Sequence, residues 1–270
     1  MILTFFLKNI NFYWHNHTGD YVNLKGYKLF VFKWISYSFK GIINVNEELK
    51  EWGLNELKHK KSYKLDNFPH FSDLSKTTQL LGKPEKRIIC LAALREGKDH
   101  LNLVEAFKVI HHKFSDWTIH IVGKDFKNNY SKNLKDFIEL NCLTNNVFFY
   151  GLCTDIKNIL NQSSIGVLQS RYEGLPISVL EYGLAKLPVI VTNVGECSNV
   201  IENNVSGLII KKENSKELAI ALEKLIDSSN KRISLGNEHY KNVMTNYSKK
   251  SFWFWSYAIV VCKIRKYYFV

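Results

Sequence analysis

The sequence predicts an α/β protein whose parallel sheet is covered by helices on both faces. From Arg87 onward, short apolar and β-branched runs alternate with segments that have apolar residues at helical spacing. Two of these runs end in glycine, at Gly123 and Gly151. Strands that alternate with helices form βαβ units, in which the strands are parallel and the crossovers are right-handed.

The first 65 residues hold fewer and less regular elements. Strands are predicted over 11–14 and 41–45, with a polar turn at 15–20. Helices are predicted over 27–38 and 47–57, where apolar residues recur at helical spacing.

From residue 87 the alternation is regular. Strands are predicted over 88–92, 117–122, 146–150, 165–168, 188–191 and 207–210. Helices are predicted over 101–111, 134–140, 155–160, 177–185, 215–226, 231–244 and 251–267. Ligands of such sheets bind beyond the carboxyl ends of the strands, so the residues that follow each strand are candidate site residues.

Changes in composition divide the chain into four parts. Residues 1–65 form an N-terminal α/β portion that is rich in aromatic residues and lysine. Residues 66–86 form a connector in which breakers and polar residues cluster without periodicity. Residues 87–248 form a complete Rossmann-like domain, and residues 249–270 form an aromatic and basic helix.

The charge balance favours anionic partners. Lys and Arg number 37 and Asp and Glu number 25, which gives a net charge of +12. Nucleic acid, phosphorylated small molecules and an anionic membrane surface all fit such a charge, and so does a general abundance of lysine without functional meaning. The basic residues are dispersed and no nucleic-acid-binding motif is present, so nucleic acid is not expected as a partner.

The cysteines and the apolar runs indicate the compartment. The five cysteines are scattered, with no spacing typical of a zinc site or a redox pair, which is typical of reduced thiols in the cytoplasm. The N-terminal apolar stretch is too short for a secretory signal, and the apolar run over 252–262 is too short to span a bilayer. A cytoplasmic protein is therefore expected.

The segment over 170–195 carries the strongest chemical signal. It reads as strand, turn, helix, strand and loop, with Glu173 in the turn and Glu181 in the helix. Gly174 lets the backbone approach a ligand, and the amides of 174–177 begin a helix whose N-terminus favours a phosphate. A carboxylate at each end of such a site suits a nucleotide-sugar, although two glutamates eight positions apart also occur by chance.

The whole run resembles the signature of retaining glycosyltransferase family 4, with its Glu-x7-Glu motif in the C-terminal domain of the GT-B fold. The matching residues are Glu173-Gly174, Glu181, Pro188-Val189, Gly195 and the segment 204–209. The segment over 88–122 also resembles the family, because Leu94 and 98–107 look like its first phosphate loop and the helix that follows. The resemblance implies a GT-B fold.

The resemblance also implies roles for individual residues. Glu173 would be catalytic, close to the reacting carbon of the donor sugar, and Glu181 would hydrogen-bond the ribose. The loop at 150–152 would touch the base through Leu152. The residues expected to bind the donor diphosphate are Lys98, Gly174, Leu175, Pro176 and Ile177.

One position departs from the family pattern. The family often has arginine directly before the leucine of the first loop, where this sequence has Ala93. Arg95, directly after Leu94, is the candidate for the second cation. Both Arg95 and Lys98 also fit the simpler interpretation of ordinary surface cations.

The chemistry expected of these residues needs no metal. Departure of a nucleoside diphosphate leaves negative charge that must be stabilised, and many glycosyltransferases use a divalent metal on an Asp-x-Asp motif for this. This sequence has no Asp-x-Asp, and Arg95, Lys98 and a helix N-terminus can do the same work. The resemblance accordingly implies retention of configuration and no metal or other cofactor.

Two further features are predicted from the resemblance. His15 and His17 lie on the expected acceptor side, where the family often places a histidine near the reaction centre; polar loop histidines are the alternative.

The helix over 249–270 is expected to pack back on the N-terminal part. Its aromatic and basic residues also suit a membrane surface, which would place the protein at the inner face of the membrane.

The N-terminal part is too short for a complete doubly wound half, so the chain looks truncated relative to the family. The predicted function is transfer of a hexose-type unit to a glycan or lipid-linked acceptor in surface polysaccharide synthesis. The alternatives are a non-catalytic nucleotide-sugar-binding module that needs another polypeptide, and an epimerase of the same fold.

Overall fold

The computed structural model describes residues 12–16, 24–65, 68–69, 71 and 77–248. These residues divide into two compact units. The first holds the described residues up to Phe68 together with Glu173–Leu175, and the second holds those of Pro69–Tyr172 and Pro176–Ser248. The predicted limits of the connector and of the C-terminal helix stay predictions, and the helix expected over 251–267 lies outside the described residues.

The first unit contains a small parallel sheet and two helices. Its strands, in the order β1-β2-β3, are Tyr13–Asn16, Gly41–Asn44 and Ser62–Lys64. Its helices are α1 (Gly26–Ser36) and α2 (Glu47–Asn55).

Aromatic side chains dominate the core of this unit. Trp52 of α2 and Ile42 of β2 are buried, and Trp14 and Phe32 pack against them. The ring centroids of Trp14 and Phe32 are 4.9 Å apart in an edge-to-face arrangement, which is a favourable geometry for aromatic pairs.

The second unit is a doubly wound α/β domain. Its strands are β4 (Arg87–Leu91), β5 (Thr118–Val122), β6 (Val147–Gly151), β7 (Ile165–Leu168), β8 (Val189–Thr192) and β9 (Leu208–Ile210). Its helices are α3 (His100–Ile110), α4 (Asn129–Leu140), α5 (Ile156–Asn161), α6 (Ile177–Leu184), α7 (Cys197–Val200), α8 (Ser215–Ile226) and α9 (Ser229–Asn246).

The six strands are all parallel and lie in the order β6-β5-β4-β7-β8-β9. Along the chain, β5 and β6 therefore extend the sheet on one side of β4, and β7, β8 and β9 then extend it on the other side. This is the topology in which the strand order reverses between two central strands. Every residue of β5, β7 and β8 is buried, as expected of parallel strands that are covered on both faces.

Most predicted elements of this unit are present within a few residues of their expected bounds, and the differences have local causes. Helix α4 begins at Asn129 rather than 134, because the side chain of Asn128 caps it by accepting a hydrogen bond from the Ser131 amide at 3.1 Å. Helix α7 was not predicted, and its four residues are too few to show helical periodicity.

In the first unit, β1 and β3 differ from the sequence prediction. Strand β1 begins at Tyr13 and runs through Asn16, so it includes His15, which was expected in a turn. Strand β3 was not predicted, since its three residues, Ser62-Tyr63-Lys64, carry no apolar run. Pairing with β2 rather than local propensity determines both strands.

A side chain replaces the strand ladder where β4 and β7 separate. The two strands pair at Ile88 and Ile89, and the pairing ends there. Beyond that point the hydroxyl of Tyr182, from α6, accepts a hydrogen bond from the Leu91 amide at 2.7 Å. The Tyr182 side chain is completely buried and packs directly on Gly166 of β7, where even a methyl group would clash.

A buried cation fixes the segment before β4 to the rest of the second unit. The guanidinium of Arg87 donates to the carbonyl oxygens of Leu80, Leu81 and Gly82 at 2.8–3.0 Å and to that of Gln162 at 3.3 Å. These contacts satisfy a charged group that would be costly to bury unpaired.

Asp155 anchors the same segment a few residues earlier. Its carboxylate accepts from the amides of Thr77 and Thr78, at 2.9 and 2.8 Å, and from the Thr78 hydroxyl at 2.7 Å. Burial alone raises the pKa of Asp155, but hydrogen bonds from Thr78, Asn158 and Thr77 outweigh it and hold the pKa well below its ordinary value.

We expect Tyr182→Phe to lower the free energy of unfolding by about 1 to 3 kcal/mol, because it leaves the Leu91 amide without an acceptor at the point where the strands separate. Urea unfolding of both proteins measures this difference. The control is Tyr240→Phe on α9, whose hydroxyl makes no hydrogen bond within the described residues; we expect a change below about 0.5 kcal/mol. Equal losses in the two variants would contradict the role given to Tyr182.

Candidate active site

The strand order identifies the carboxyl ends of β4 and β7 as the expected position of a ligand. These are the two strands at which the order reverses, and ligands of open α/β sheets bind at such a point. Residues 92–99 follow β4, and residues 169–172 follow β7 within the second unit. The predicted site residues Arg95 and Lys98 therefore lie at this end of the sheet.

The segment after β4 forms a tight turn before α3. Glu96–Lys98 is a single turn of 3-10 helix, and Asp99 follows with a φ of 50°, in the left-handed region. The amide of Lys98 donates to the Arg95 carbonyl at 2.9 Å, which closes the turn. Lys98 thus sits on a backbone with a defined shape rather than in the first turn of a regular helix.

The loops after β4 and β7 are cross-linked to each other. The Arg171 amide donates to the Gly97 carbonyl at 2.9 Å, and the buried Gln169 side-chain amide donates to the Lys98 carbonyl at 2.8 Å. The Arg171 guanidinium also lies 3.3 Å from Glu96 and 3.5 Å from the buried Asp99 carboxylate. Burial raises the pKa of Asp99, and the charge of Arg171 opposes that rise.

Two glycines permit this close packing. A Cβ at Gly97 would lie 2.4 Å from the Tyr172 hydroxyl oxygen. A Cβ at Gly123, which follows β5, would lie 2.2 Å from the Ala92 carbonyl oxygen, and this backbone atom cannot move aside easily. The absence of a side chain at Gly123 therefore lets the ends of β4 and β5 lie against each other.

Arg95 lies beside the loop that follows β5. Its guanidinium carbon is 4.9 Å from the centre of the Phe126 ring, and the Lys124 ammonium is 5.1 Å from the same ring. The Leu94 amide donates to the Lys124 carbonyl at 2.9 Å, which holds the two loops together. Arg95 and Lys124 thus place two positive charges around one aromatic ring.

Helix α6 begins at Ile177, as expected, with Pro176 as its N-cap residue. Pro176 has no amide hydrogen, so the expected series of amides over 174–177 is interrupted there. The preceding segment, Glu173–Leu175, groups with the first unit, although it joins two parts of the second unit along the chain. The catalytic role of Glu173 stays a prediction.

Glu181 lies one helical turn after Ile177 and is half-buried. Burial raises the pKa of Glu181 to about 7. Its carboxylate makes no hydrogen bond or ion pair within the described part of the chain, so nothing there offsets the loss of hydration. Such a carboxylate can accept hydrogen bonds from ligand hydroxyl groups.

The loop after β6 presents Leu152 to solvent. Gly151 ends the strand with a φ of 66°, and Leu152 is 79% exposed. The preceding Tyr150 is held by other contacts, because its hydroxyl accepts from the Leu81 amide at 3.0 Å and lies 3.0 Å from His120 Nδ1. An exposed leucine is compatible with packing against a nucleotide base.

Of the two histidines predicted on the acceptor side, the structure describes His15, which belongs to the first unit. His15 is an exposed residue within β1, rather than in the turn after it, and His17 lies outside the described residues. Their role stays a prediction. His112, two residues after α3, contacts the Val109 carbonyl at 3.0 Å through Nδ1, which is a contact typical of a histidine that caps a helix end.

Several residues of this region received no individual role in the sequence analysis, although Gly97 and Arg171 lie in the segments after predicted strands where site residues were expected. The residues are Gly97, Phe126, Gln169, Arg171 and Tyr182. Arg171 lies just after the strand predicted over 165–168, and this position is typical of a site residue. Phe126 and Tyr182 carried no such signal, because an aromatic residue in a loop or an apolar helix looks like core.

The described residues contain neither a metal-binding cluster nor a helix that could span a membrane. No group of three or more His, Cys, Asp or Glu residues there could hold a metal ion. Among the same residues, no helix combines the length and apolar character that crossing a bilayer requires.

Comparisons with known proteins agree on one family. The profile of the family described as "Glycosyl transferases group 1" matches residues 73–242. A similar relative is the UDP-Gal:alpha-D-GlcNAc-diphosphoundecaprenol alpha-1,3-galactosyltransferase of Escherichia coli, which is 26% identical over 255 residues. The match covers 86% of this chain and 63% of the relative, so the chain spans less than two thirds of that protein.

Solved structures show the fold. Staphylococcus aureus TarM, crystallised as a point mutant in a complex that includes UDP, is similar with a TM-score of 0.78 at 22% identity, over 94% of this chain and 51% of TarM. The C-terminal domain of LpcC, a glycosyl transferase group 1 family protein of Francisella tularensis, gives a TM-score of 0.58 at 26% identity, over 62% of this chain and 88% of that domain. The fold is of the GT-B class, as predicted.

We expect Glu181→Gln to stabilise the protein at pH 8 but not at pH 4. A carboxyl whose pKa is raised on folding contributes stability below its unfolded value, near 4.5, and that contribution is lost as the pH rises through about 7. One pKa unit corresponds to about 1.4 kcal/mol, so the difference at pH 8 should be about 3.5 kcal/mol at most. Urea unfolding at both pH values measures it, with Glu139→Gln on the exposed surface of α4 as the control. An equal effect at both pH values would contradict the assignment.

Proposed function

The chain belongs to the glycosyl transferases group 1 family, and we propose that it transfers a sugar from a nucleotide-sugar donor to a glycan or lipid-linked acceptor. The observation that carries the proposal is the placing of Lys98 and Arg95 at the point where the strand order reverses. That is the position at which a doubly wound sheet receives a nucleotide.

The donor phosphates would bind between cations and a helix N-terminus. Lys98 and Arg95 supply positive charge after β4, and the amides of Ile177 and Ser178 at the start of α6 add partial positive charge. Together these groups would stabilise the charge that develops on the leaving diphosphate. We propose that the reaction needs no metal and retains the anomeric configuration.

The carboxylates would act on the sugars of the donor. Glu181 would accept hydrogen bonds from the ribose hydroxyls, and its lone, half-buried carboxylate is suited to that role. Glu173 would lie near the reacting carbon of the transferred sugar. Leu152, which is largely exposed, would contact the base.

The relatives give the donor and acceptor classes to test first. The Escherichia coli relative is named for UDP-Gal as donor and for a diphosphoundecaprenol-linked acceptor. We therefore propose a UDP-sugar as donor and a lipid-linked glycan as acceptor, in surface polysaccharide synthesis. Such an acceptor would place the protein at the cytoplasmic face of a membrane.

A non-catalytic donor-binding module is the second candidate. The chain spans 63% of the Escherichia coli relative and 51% of TarM. If the remaining length supplies the acceptor site in those proteins, this chain would bind a nucleotide-sugar and depend on another polypeptide for transfer.

We expect the purified chain to bind UDP in calorimetric titration, with GDP and ADP tested alongside. Lys98→Ala should weaken the binding about tenfold or more, because a charge-assisted contact to phosphate contributes roughly 1.5 to 3 kcal/mol. The matched control is Lys132→Ala on the exposed surface of α4, which should bind as the unmodified chain does. A folded chain that binds none of the three nucleotides would contradict both candidate functions.

Turnover separates the two candidates. With a UDP-sugar, the unmodified chain should transfer or slowly hydrolyse the sugar, with the product anomer retained in the NMR spectrum and no effect of a metal chelator. Glu173→Gln should lower the rate on the order of 10²-fold if its carboxylate stabilises the reacting centre. Glu139→Gln is the control. Nucleotide binding without any turnover would favour the donor-binding module.

A further inference from the structure

Arg171 joins three loops at the carboxyl ends of the strands. It follows β7, whereas Glu96 and Asp99 follow β4 and Glu213 follows β9. Nitrogen atoms of its guanidinium lie 3.3 Å from a carboxylate oxygen of Glu96, 3.5 Å from one of Asp99 and 3.2 Å from one of Glu213. Strands β7 and β9 are separated by β8, so the ion pair with Glu213 connects loops whose strands are not neighbours.

One of the three ion pairs is buried, and that pair decides what Arg171 contributes. The side chain of Asp99 is 6% exposed, whereas those of Glu96 and Glu213 are 77% and 53% exposed. Ion pairs at the surface stabilise a protein little, because water and salt screen them. A carboxylate that is buried without a cation is costly, so the pair between Arg171 and Asp99 has the main effect.

Asp99 and Glu213 also have unusual backbone conformations. Their φ angles are 50° and 56°, in the left-handed region that residues with a side chain seldom adopt. Such conformations persist where the surrounding contacts hold them. Asp99 ends the turn that carries Lys98, and Arg171 pairs with the side chain of Asp99. Arg171 therefore supports the strained end of that turn.

Arg171 contacts the residues on both sides of Lys98. Its amide donates to the carbonyl of Gly97 at 2.9 Å, and its guanidinium pairs with Asp99. The carbonyl of Lys98 itself accepts a hydrogen bond from the side chain of Gln169. Groups that follow β7 thus hold three successive residues of the turn.

We propose that Arg171 is the positioning residue of Lys98, and that it holds the Lys98 ammonium where a nucleoside diphosphate binds. A cation that is already in place binds a phosphate more tightly than one that must be ordered during binding. This inference rests on the proposed function, because that function assigns to Lys98 its contact with the donor. The alternative is that Arg171 only stabilises the domain as a whole.

Hydrogen exchange tests the turn without any nucleotide. The amides of Lys98 and Asp99 donate to the carbonyls of Arg95 and Glu96 at 2.9 and 3.0 Å, so their exchange reports whether the turn is formed. In Arg171→Gln we expect NMR to show these two amides exchanging about tenfold faster or more, with little change in the buried strand β5. General destabilisation would speed the exchange of β5 as well.

The matched control for this variant is Lys113→Gln. Lys113 also joins two carboxylates, those of Glu223 and Asp227 at 3.7 and 3.3 Å, but it precedes β5 and so lies toward the amino end of that strand. The control should leave the exchange of the Lys98 and Asp99 amides unchanged.

UDP titration tests whether Arg171 acts through Lys98. Arg171→Gln should weaken UDP binding about fivefold or more, because the cation is no longer held in place. In a chain that already carries Lys98→Ala, the same change should weaken UDP binding less than about twofold, since residues that act as a unit are not additive. A residue that acts independently would give the same fold-change in both chains.

A second variant, Arg171→Lys, carries the same two measurements if Arg171→Gln does not fold. Lysine keeps a positive charge beside Asp99 but lacks the planar fork that pairs with several carboxylates. We expect smaller effects in the same direction, with UDP binding weakened about threefold, and less than about twofold in the chain with Lys98→Ala.

Three results would overturn the proposal. They are unchanged exchange of the Lys98 and Asp99 amides in a folded Arg171→Gln protein, equally faster exchange in β5, and an equal loss of UDP affinity with and without Lys98. An unmodified chain that binds no UDP would instead contradict the proposed function. In that case the exchange experiment still decides whether Arg171 holds the turn.

Discussion

The hydroxyl of Tyr182 lies where β4 and β7 stop pairing, and the candidate site depends on that separation. The parallel ladder between the two strands ends at Ile89, and the hydroxyl supplies the acceptor that the Leu91 amide would otherwise lack. The strands can therefore diverge toward their carboxyl ends without leaving a buried donor unpaired. Beyond the gap, Arg171 and Gln169 join the two loops again through the carbonyls of Gly97 and Lys98.

This arrangement gives the predicted cations a rigid support. Lys98 belongs to a turn, and its own carbonyl accepts a hydrogen bond from the Gln169 side chain. Arg95 lies against Phe126 of the neighbouring loop. A group that stabilises developing charge works best when it is already in position, since no reorganisation is then needed during the reaction. If these cations act on the leaving group as proposed, the neutral contacts around them would hold the charges in position.

The sequence predicted the second unit better than the first, for physical reasons. Strands such as Ile165–Leu168 and Val189–Thr192 are buried on both faces, so each reads as a continuous apolar run. Strand β3 has no such run, and only its partner β2 determines it. In the site, a motif predicted Glu173 and Glu181, but Arg171 and Tyr182 act through contacts with residues more than 70 positions away, which spacing along the chain does not show.

The anchor at Arg87 has a consequence for how this protein can vary. All four acceptors of its guanidinium are backbone carbonyls, which every amino acid carries. These hydrogen bonds therefore do not depend on which side chains residues 80–82 carry, although Leu80, which is buried, and Gly82, whose φ is 74°, are constrained by their own surroundings. The arginine itself has no substitute, because lysine cannot present its donors in a planar fork. Among related chains, we therefore expect the arginine to stay the same even where the exposed neighbour Leu81 is replaced.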